Sequence, residues 1–337
     1  MRTAGPYAFA GLCLQADPGQ MIWQNQTKQQ ATKDVSRMID TDWAFDRYES
    51  VRGLLPQARF GLSSQQGRDL GDTVADYDAY VLDAFGVLNR GETAIEGAVE
   101  RMASLRAQGK RLMVLTNAAS YTRAEVLAKY HRLGFDFTAD EVVSSRDVAF
   151  AGLPQLPAEL VWGAAAAPED DFSDAPAGVQ IEHLSDDPDL LHRAGGILLL
   201  SNARWSADNT AMLTQALRDN PRPLVVANPD LVAPREEGLS LEPGLFAHEV
   251  TEATGGRADF FGKPFGNAFD RALARLGDLP RARIAMVGDT LHTDVLGGAA
   301  AGIGTILITD HGLFRGHDVA PYIAKSGIRP DWIVATT

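Results

Sequence analysis

A chain of 337 residues, 45% of them apolar, is long enough to bury one large core or two. Its formal net charge of -13 supplies neither counterion release nor polybasic attraction, which excludes a general nucleic-acid or anionic-membrane partner. The single cysteine, Cys13, excludes an internal disulfide and a cysteine-cluster zinc site.

No stretch approaches the ~18–20 apolar residues of a spanning helix. The apolar run from Tyr7 to Leu14 follows only one positive charge and has no clear cleavage pattern, so the expected location is the cytoplasm. Up to about residue 70 the chain reads as a partly ordered arm. Gln24 to Gln30 is polar, Trp43 to Leu55 has helical spacing, and Gly61 to Gly67 reads as loop.

Regular patterning begins at Ala79 to Leu82, a short apolar run typical of a buried parallel strand. Ile95 to Ala107 presents a helical apolar face and meets a stop signal at Gly109. Leu112 to Leu115 is a second strand, ending at Thr116-Asn117. Thr122 with Glu125 three residues on forms a capping-box pattern for a helix that Gly134 ends. This β-α-β-α series is the signature of a doubly wound parallel sheet.

A separate alternation fills the middle of the chain. Val161-Trp162, Ile197 to Leu200 and Leu224 to Val226 read as strands; Asp189 to Arg193, Ser206 to Arg218 and Gly244 to Thr254 read as helices. The first series then resumes with Phe260-Phe261, a helix over Phe269 to Leu276, and strands at Ile284 to Val287 and Thr305 to Ile308. The expected architecture is α/β. It comprises an arm over residues 1–70, a discontinuous core over 71–152 and 258–337, and an inserted α/β domain over 153–257.

In open α/β sheets, ligands bind beyond the carboxyl ends of the strands. Asp83, Thr116-Asn117 and Gly288-Asp289 each end a candidate strand, and Lys263 follows a fourth, so one crevice would hold all of them. Several acids close together repel unless a cation compensates. Mg²⁺ is held by one or two carboxylates with waters and phosphate oxygens. Lys263 and the backbone N–H groups of the Ala84-Phe85 turn can neutralise a phosphoryl group, and an aspartate can attack phosphorus.

Each piece also has an ordinary structural reading, as turn or helix-cap chemistry; their order and strand context carry the functional one. Gly262-Lys263 is not a phosphate-binding P-loop. Arg257 stands five positions before Gly262 where glycine is needed, and Pro264 replaces the hydroxyl residue. His292, alone at a helix start, reads as a surface or capping group, with contact to substrate or a metal-bound water as the lesser alternative.

The order Asp83, Thr116-Asn117, Lys263, Asp289, Asp294 resembles the haloacid dehalogenase (HAD) superfamily. The long insertion before Lys263, with Asn228-Pro229-Asp230 and Gly262-Lys263-Pro264, is similar to its class IIA, NagD-like branch with a C2-type cap. The first motif, Asp-Ala-Phe-Gly-Val-Leu, resembles a subgroup of predicted sugar phosphatases. The resemblance covers roughly residues 76–325.

It implies a Mg²⁺-dependent phosphomonoester hydrolase acting on a small, sugar phosphate-like metabolite. Asp83 would be the nucleophile that forms an aspartyl-phosphate. Ala84, Phe85, Thr116, Asn117 and Lys263 would bind the phosphoryl group, with Lys263 also neutralising Asp83. Asp83, the Phe85 backbone carbonyl and Asp289 would hold the metal, supported by Asp294. Asn228 and Asp230 of the cap would meet substrate. A second copy of the chain is a further expected partner, through the cap or the arm.

Phe85 departs from the family pattern, which implies an aspartate there as acid and base. Its loss removes a contribution typically worth ~10²–10⁴-fold, so hydrolysis should be impaired, least for esters with good leaving groups. Two other functions fit the same residues. One is a metal- and phosphate-binding regulatory protein of weak activity. The other is a phosphotransferase, which would gain from excluding water.

Overall fold

The computed structural model describes residues 39–337 except 186, 188, 236 and 237. The polar stretch at Gln24 to Gln30, the apolar start and Cys13 lie outside the described residues.

Among the described residues, two parallel sheets organise the fold. The larger has seven strands. From edge to edge they are Gln65–Asp69, Trp332–Thr336, Gly304–Ile308, Ile284–Gly288, Ala79–Leu82, Arg111–Thr116 and Val142–Ser144. Every pairing in it is parallel. Ala79–Leu82 is buried at all four positions because helices cover both faces of the sheet. One face packs Leu82, Val114 and Val287 with Met102, Leu105 and Tyr130; the other packs Val81, Leu115 and Met286 with Phe269 and Leu273.

The smaller sheet has five strands, in the order Asp259–Phe260, Leu224–Val226, Gly196–Leu199, Trp162–Ala165 and Ile181–His183. It too is wholly parallel. Its own core joins Ile197, Leu199 and Val226 to Leu213, Leu217 and Val250 of two helices, Ala207–Asp219 and Pro243–Thr254. A two-stranded hairpin, Val232–Arg235 with Gly238–Leu241, extends from this layer.

The helix Arg123–Arg132 begins at the capping box read from sequence: Thr122 and Glu125 bond reciprocally. Three expectations fail. Gly61 to Gly67 is not all loop, because Gln65–Asp69 is the edge strand beside Trp332–Thr336. It carries two glutamines, a glycine and no apolar residue, so no periodicity announced it. The strand at Phe260 does not join the larger sheet; Val226 pairs with Phe260, placing it in the smaller one. His292 is not on the surface but fully buried.

Candidate active site

Asp83 stands at the carboxyl end of Ala79–Leu82, between Ile284–Gly288 and Arg111–Thr116. This is where the order of an open sheet reverses and a crevice opens. The Asp83 amide donates to Val287 O at 2.8 Å, and its Oδ1 accepts from the Ala84 amide at 2.7 Å. Gly86 then turns the chain at φ +75°, and a β-carbon there would lie 2.8 Å from Cβ and Cγ of Asp289. Only glycine combines that left-handed backbone with so close an approach.

Lys263 reaches the crevice from the smaller sheet rather than from a strand of the larger one. Asn117 holds it there: the Lys263 amide donates to Asn117 Oδ1 at 2.7 Å, and Asn117 Nδ2 donates to Lys263 O at 2.9 Å. Its Nζ then bridges two acids, 2.5 Å from Asp83 Oδ1 and 2.7 Å from Asp294 Oδ1. Burial opposes the ammonium charge, but Asp294 and Asp83 outweigh it and push the lysine above its ordinary range.

Asp289 precedes a single turn of π-helix, Leu291–Val295, and Asp294 lies within it, a form frequent at functional sites. Asp289 accepts from the Leu313 amide at 2.7 Å and from Thr290 Oγ1 at 3.1 Å; Asp294 Oδ2 accepts from the Thr290 amide at 3.0 Å. Carboxylate oxygens of Asp83, Asp289 and Asp294 all lie within 4.8 Å of one another. Burial, Asp294 and Asp83 together raise Asp289 well above the carboxylate range. Three buried acids against one lysine leave an excess of negative charge that a hard cation would relieve, and oxygen donors suit Mg²⁺. The donor set fits that ion.

A cavity of about 100 Å³ opens over these groups, and Asp83, Phe85, Thr116, Asn117, Asn228 and Asp230 all border it. The Thr116 hydroxyl accepts from the Ala118 amide at 3.1 Å. From the smaller layer, Asp230 accepts from Asn117 Nδ2 at 2.8 Å, and Asn228 Nδ2 donates to buried Glu242 at 3.0 Å. Burial lifts Asp230 to about 8, with Lys263 opposing and Asp83 assisting.

The crevice thus gathers Asp83, Thr116, Asn117, Lys263 and Asp289, together with both cap residues read from sequence. Sequence reasoning missed the surroundings of Phe85. Its ring has Lys129 Nζ 5.1 Å and Arg235 Cζ 5.3 Å from the centroid. Arg235 comes from the hairpin, whose only signals were Gly238 and the alternation after it. Lys129 sits on the capped helix, where it reads as an ordinary surface residue.

Family models agree with this geometry. One for haloacid dehalogenase-like hydrolases matches residues 80–167, and one described as HAD-hydrolase-like matches 260–336. Human glycerol-3-phosphate phosphatase is 33% identical over 301 residues, covering 81% of this chain and 92% of that protein. An acid sugar phosphatase of Staphylococcus aureus (strain USA300) is 28% identical over 237 residues, 68% of this chain and 85% of its own. Among solved structures, a possible sugar phosphatase from Cytophaga hutchinsonii superposes with a TM-score of 0.71 at 27% identity, covering 80% of this chain and 98% of that one. A Mycobacterium tuberculosis glycerol phosphate phosphatase in complex with magnesium gives 0.61 at 25%, covering 78% and 76%.

The fold and crevice define a hydrolase of phosphoric monoesters with a Rossmann-like core and a cap. The chain belongs to the haloacid dehalogenase superfamily, in its class IIA, NagD-like branch.

Proposed function

We propose that this chain is a Mg²⁺-dependent phosphatase of small polyol or sugar phosphates that works through an aspartyl-phosphate on Asp83. The observation that carries it is the Lys263 ammonium bridging Asp83 and Asp294 inside a cluster of three buried carboxylates. The named relatives act on phosphate esters of this size. A cavity of about 100 Å³ suits them, being well below the ~300–1,000 Å³ typical of drug-sized ligand pockets.

An Asp83 oxygen attacks phosphorus, the bond to the leaving oxygen breaks, and that oxygen takes a proton. Water then attacks the phosphorus of the aspartyl-phosphate, releasing inorganic phosphate and restoring Asp83. Lys263 offsets charge on the phosphoryl oxygens, while Thr116, Asn117 and the Ala84-Phe85 backbone orient them. Asp83, Asp289, the Phe85 carbonyl and, in support, Asp294 would hold Mg²⁺, which supplies charge stabilisation to the phosphoryl group. Asn228 and Asp230 present the cap to the rest of the substrate.

Phe85 cannot donate a proton, so turnover of esters with poor leaving groups is slowed. Asp230 offers a partial substitute. It borders the same cavity, and with its carboxyl held at about 8 it keeps its proton at neutral pH. Acid-quenching a reaction with labelled substrate tests the pathway. Label retained on wild-type protein and absent from Asp83→Asn supports the aspartyl-phosphate; no label under burst conditions argues against it.

A further inference from the structure

The helix Thr41–Ser50 supplies none of the residues above, yet it touches the supports of both halves of the site. Thr41 Oγ1 donates to Leu313 O at 2.9 Å, and the Leu313 amide is the one that donates to Asp289. Nearly two turns on, the Tyr48 ring lies flat on His292, with centroids 5.1 Å and planes 8° apart. His292 belongs to the same π-helical turn as Asp294, two residues before it, and its Nε2 bonds Glu49 at 2.6 Å.

The other end of the same tyrosine faces the cap. Its hydroxyl accepts from the Leu231 amide at 3.0 Å, one residue past Asp230. Arg47 pairs with Glu252 of the cap helix Pro243–Thr254. Tyr48 is only 2% exposed, so neither contact competes with bulk water. Asn117 holds the Asn228-Pro229-Asp230 turn from one side through Asp230, and Tyr48 holds it from the other.

We propose that Tyr48 is a positioning residue that fixes the cap turn at Asn228 to Leu231 against the metal-ligand loop at Asp289 to Val295. Its hydroxyl holds the first and its ring holds the second. The kinetic part of this inference rests on the phosphatase reading; the structural part does not. Because the two contacts use different parts of one side chain, they separate by substitution. Tyr48→Phe keeps the ring and removes the hydroxyl; Tyr48→Leu removes both.

The test uses the full chain, with hydrogen–deuterium exchange of peptides covering 228–232 and 289–296. It adds calorimetric Mg²⁺ binding and a split of KM from kcat on p-nitrophenyl phosphate. Tyr48→Phe is expected to speed exchange at 228–232 by about five- to tenfold, the scale of one lost hydrogen bond. It should raise KM several-fold with Mg²⁺ affinity unchanged. Tyr48→Leu should also speed exchange at 289–296 and weaken Mg²⁺ binding.

Wild-type exchange and KM in Tyr48→Phe would overturn the proposal, as would acceleration spread evenly over the chain. If Tyr48→Leu does not fold, Tyr48→Phe alone decides. A protein that hydrolyses no ester but shows the expected exchange pattern would refute the phosphatase reading and uphold this one.

Discussion

At the scale of single residues, Phe85 and Asp230 divide the question of the missing proton. Phe85 places an apolar ring beside Asp83, and the cations near that ring are Lys129 and Arg235. Phe85→Asp is expected to raise kcat for alkyl phosphates by up to ~10²-fold, the lower end of general acid–base contributions. It should change p-nitrophenyl phosphate turnover far less, because that leaving group needs little protonation. Equal gains on both esters would show that protonation is not the limiting step. Asp230→Asn should do the reverse, depressing alkyl phosphate hydrolysis selectively. With Asp230 raised to about 8, the donor form dominates below that pH, so alkyl phosphate turnover should fall as pH rises through it. A flat profile to pH 9 would remove Asp230 from the role. The sign for stability is the same: the folded state holds that proton more tightly, so stability present at low pH is lost as pH rises from the ordinary aspartate range to about 8.

At the scale of elements, the site depends on loops that fit only certain residues. Gly86→Ala would place a methyl against Asp289 on a backbone at φ +75°. Mg²⁺ affinity measured by calorimetry should fall by at least tenfold, and unchanged affinity would mean that Asp289 is not a ligand. Arg146, at the start of the helix Ser145–Gly152, is fully buried. Its guanidinium bonds Asp170 at 2.5 and 2.8 Å, Asp174 at 2.7 Å and Ala119 O at 3.3 Å. Arg146→Leu would leave Asp170 buried and unpaired, and denaturant melts should register a loss of about 3–5 kcal/mol. These elements differ in how plainly the sequence announced them. Ala79–Leu82 and Ile284–Gly288 are continuous apolar runs ending in an acid, so both fold and site were readable there. Gln65–Asp69 is polar because it is an edge strand, and the hairpin at Val232 is short, with only Gly238 and a brief alternation after it as signal. His292 read as a surface group because its partners, Tyr48 and Glu49, lie more than 240 residues away. No local signal could supply them.

At the scale of the whole molecule, several contacts tie the cap to the core, Asn117 to Asp230 among them. Arg146 bonds Asp170 and Asp174 beside the Thr116 loop, and the helix Thr41–Ser50 bonds Leu231 and Glu252 beside the loop at Asp289 to Val295. Among the described residues, no helix is long and apolar enough to cross a membrane. Mg²⁺-dependent hydrolysis of a phosphate monoester by Asp83 is the proposed reaction of this site. It is tested most directly by phosphate release from glycerol 3-phosphate and p-nitrophenyl phosphate, with Mg²⁺ added back to chelator-treated enzyme, for wild type and Asp83→Asn. Saturable release on adding Mg²⁺, faster for p-nitrophenyl phosphate and abolished by Asp83→Asn, is the predicted result. Release that ignores Mg²⁺, or that survives in Asp83→Asn, would contradict it.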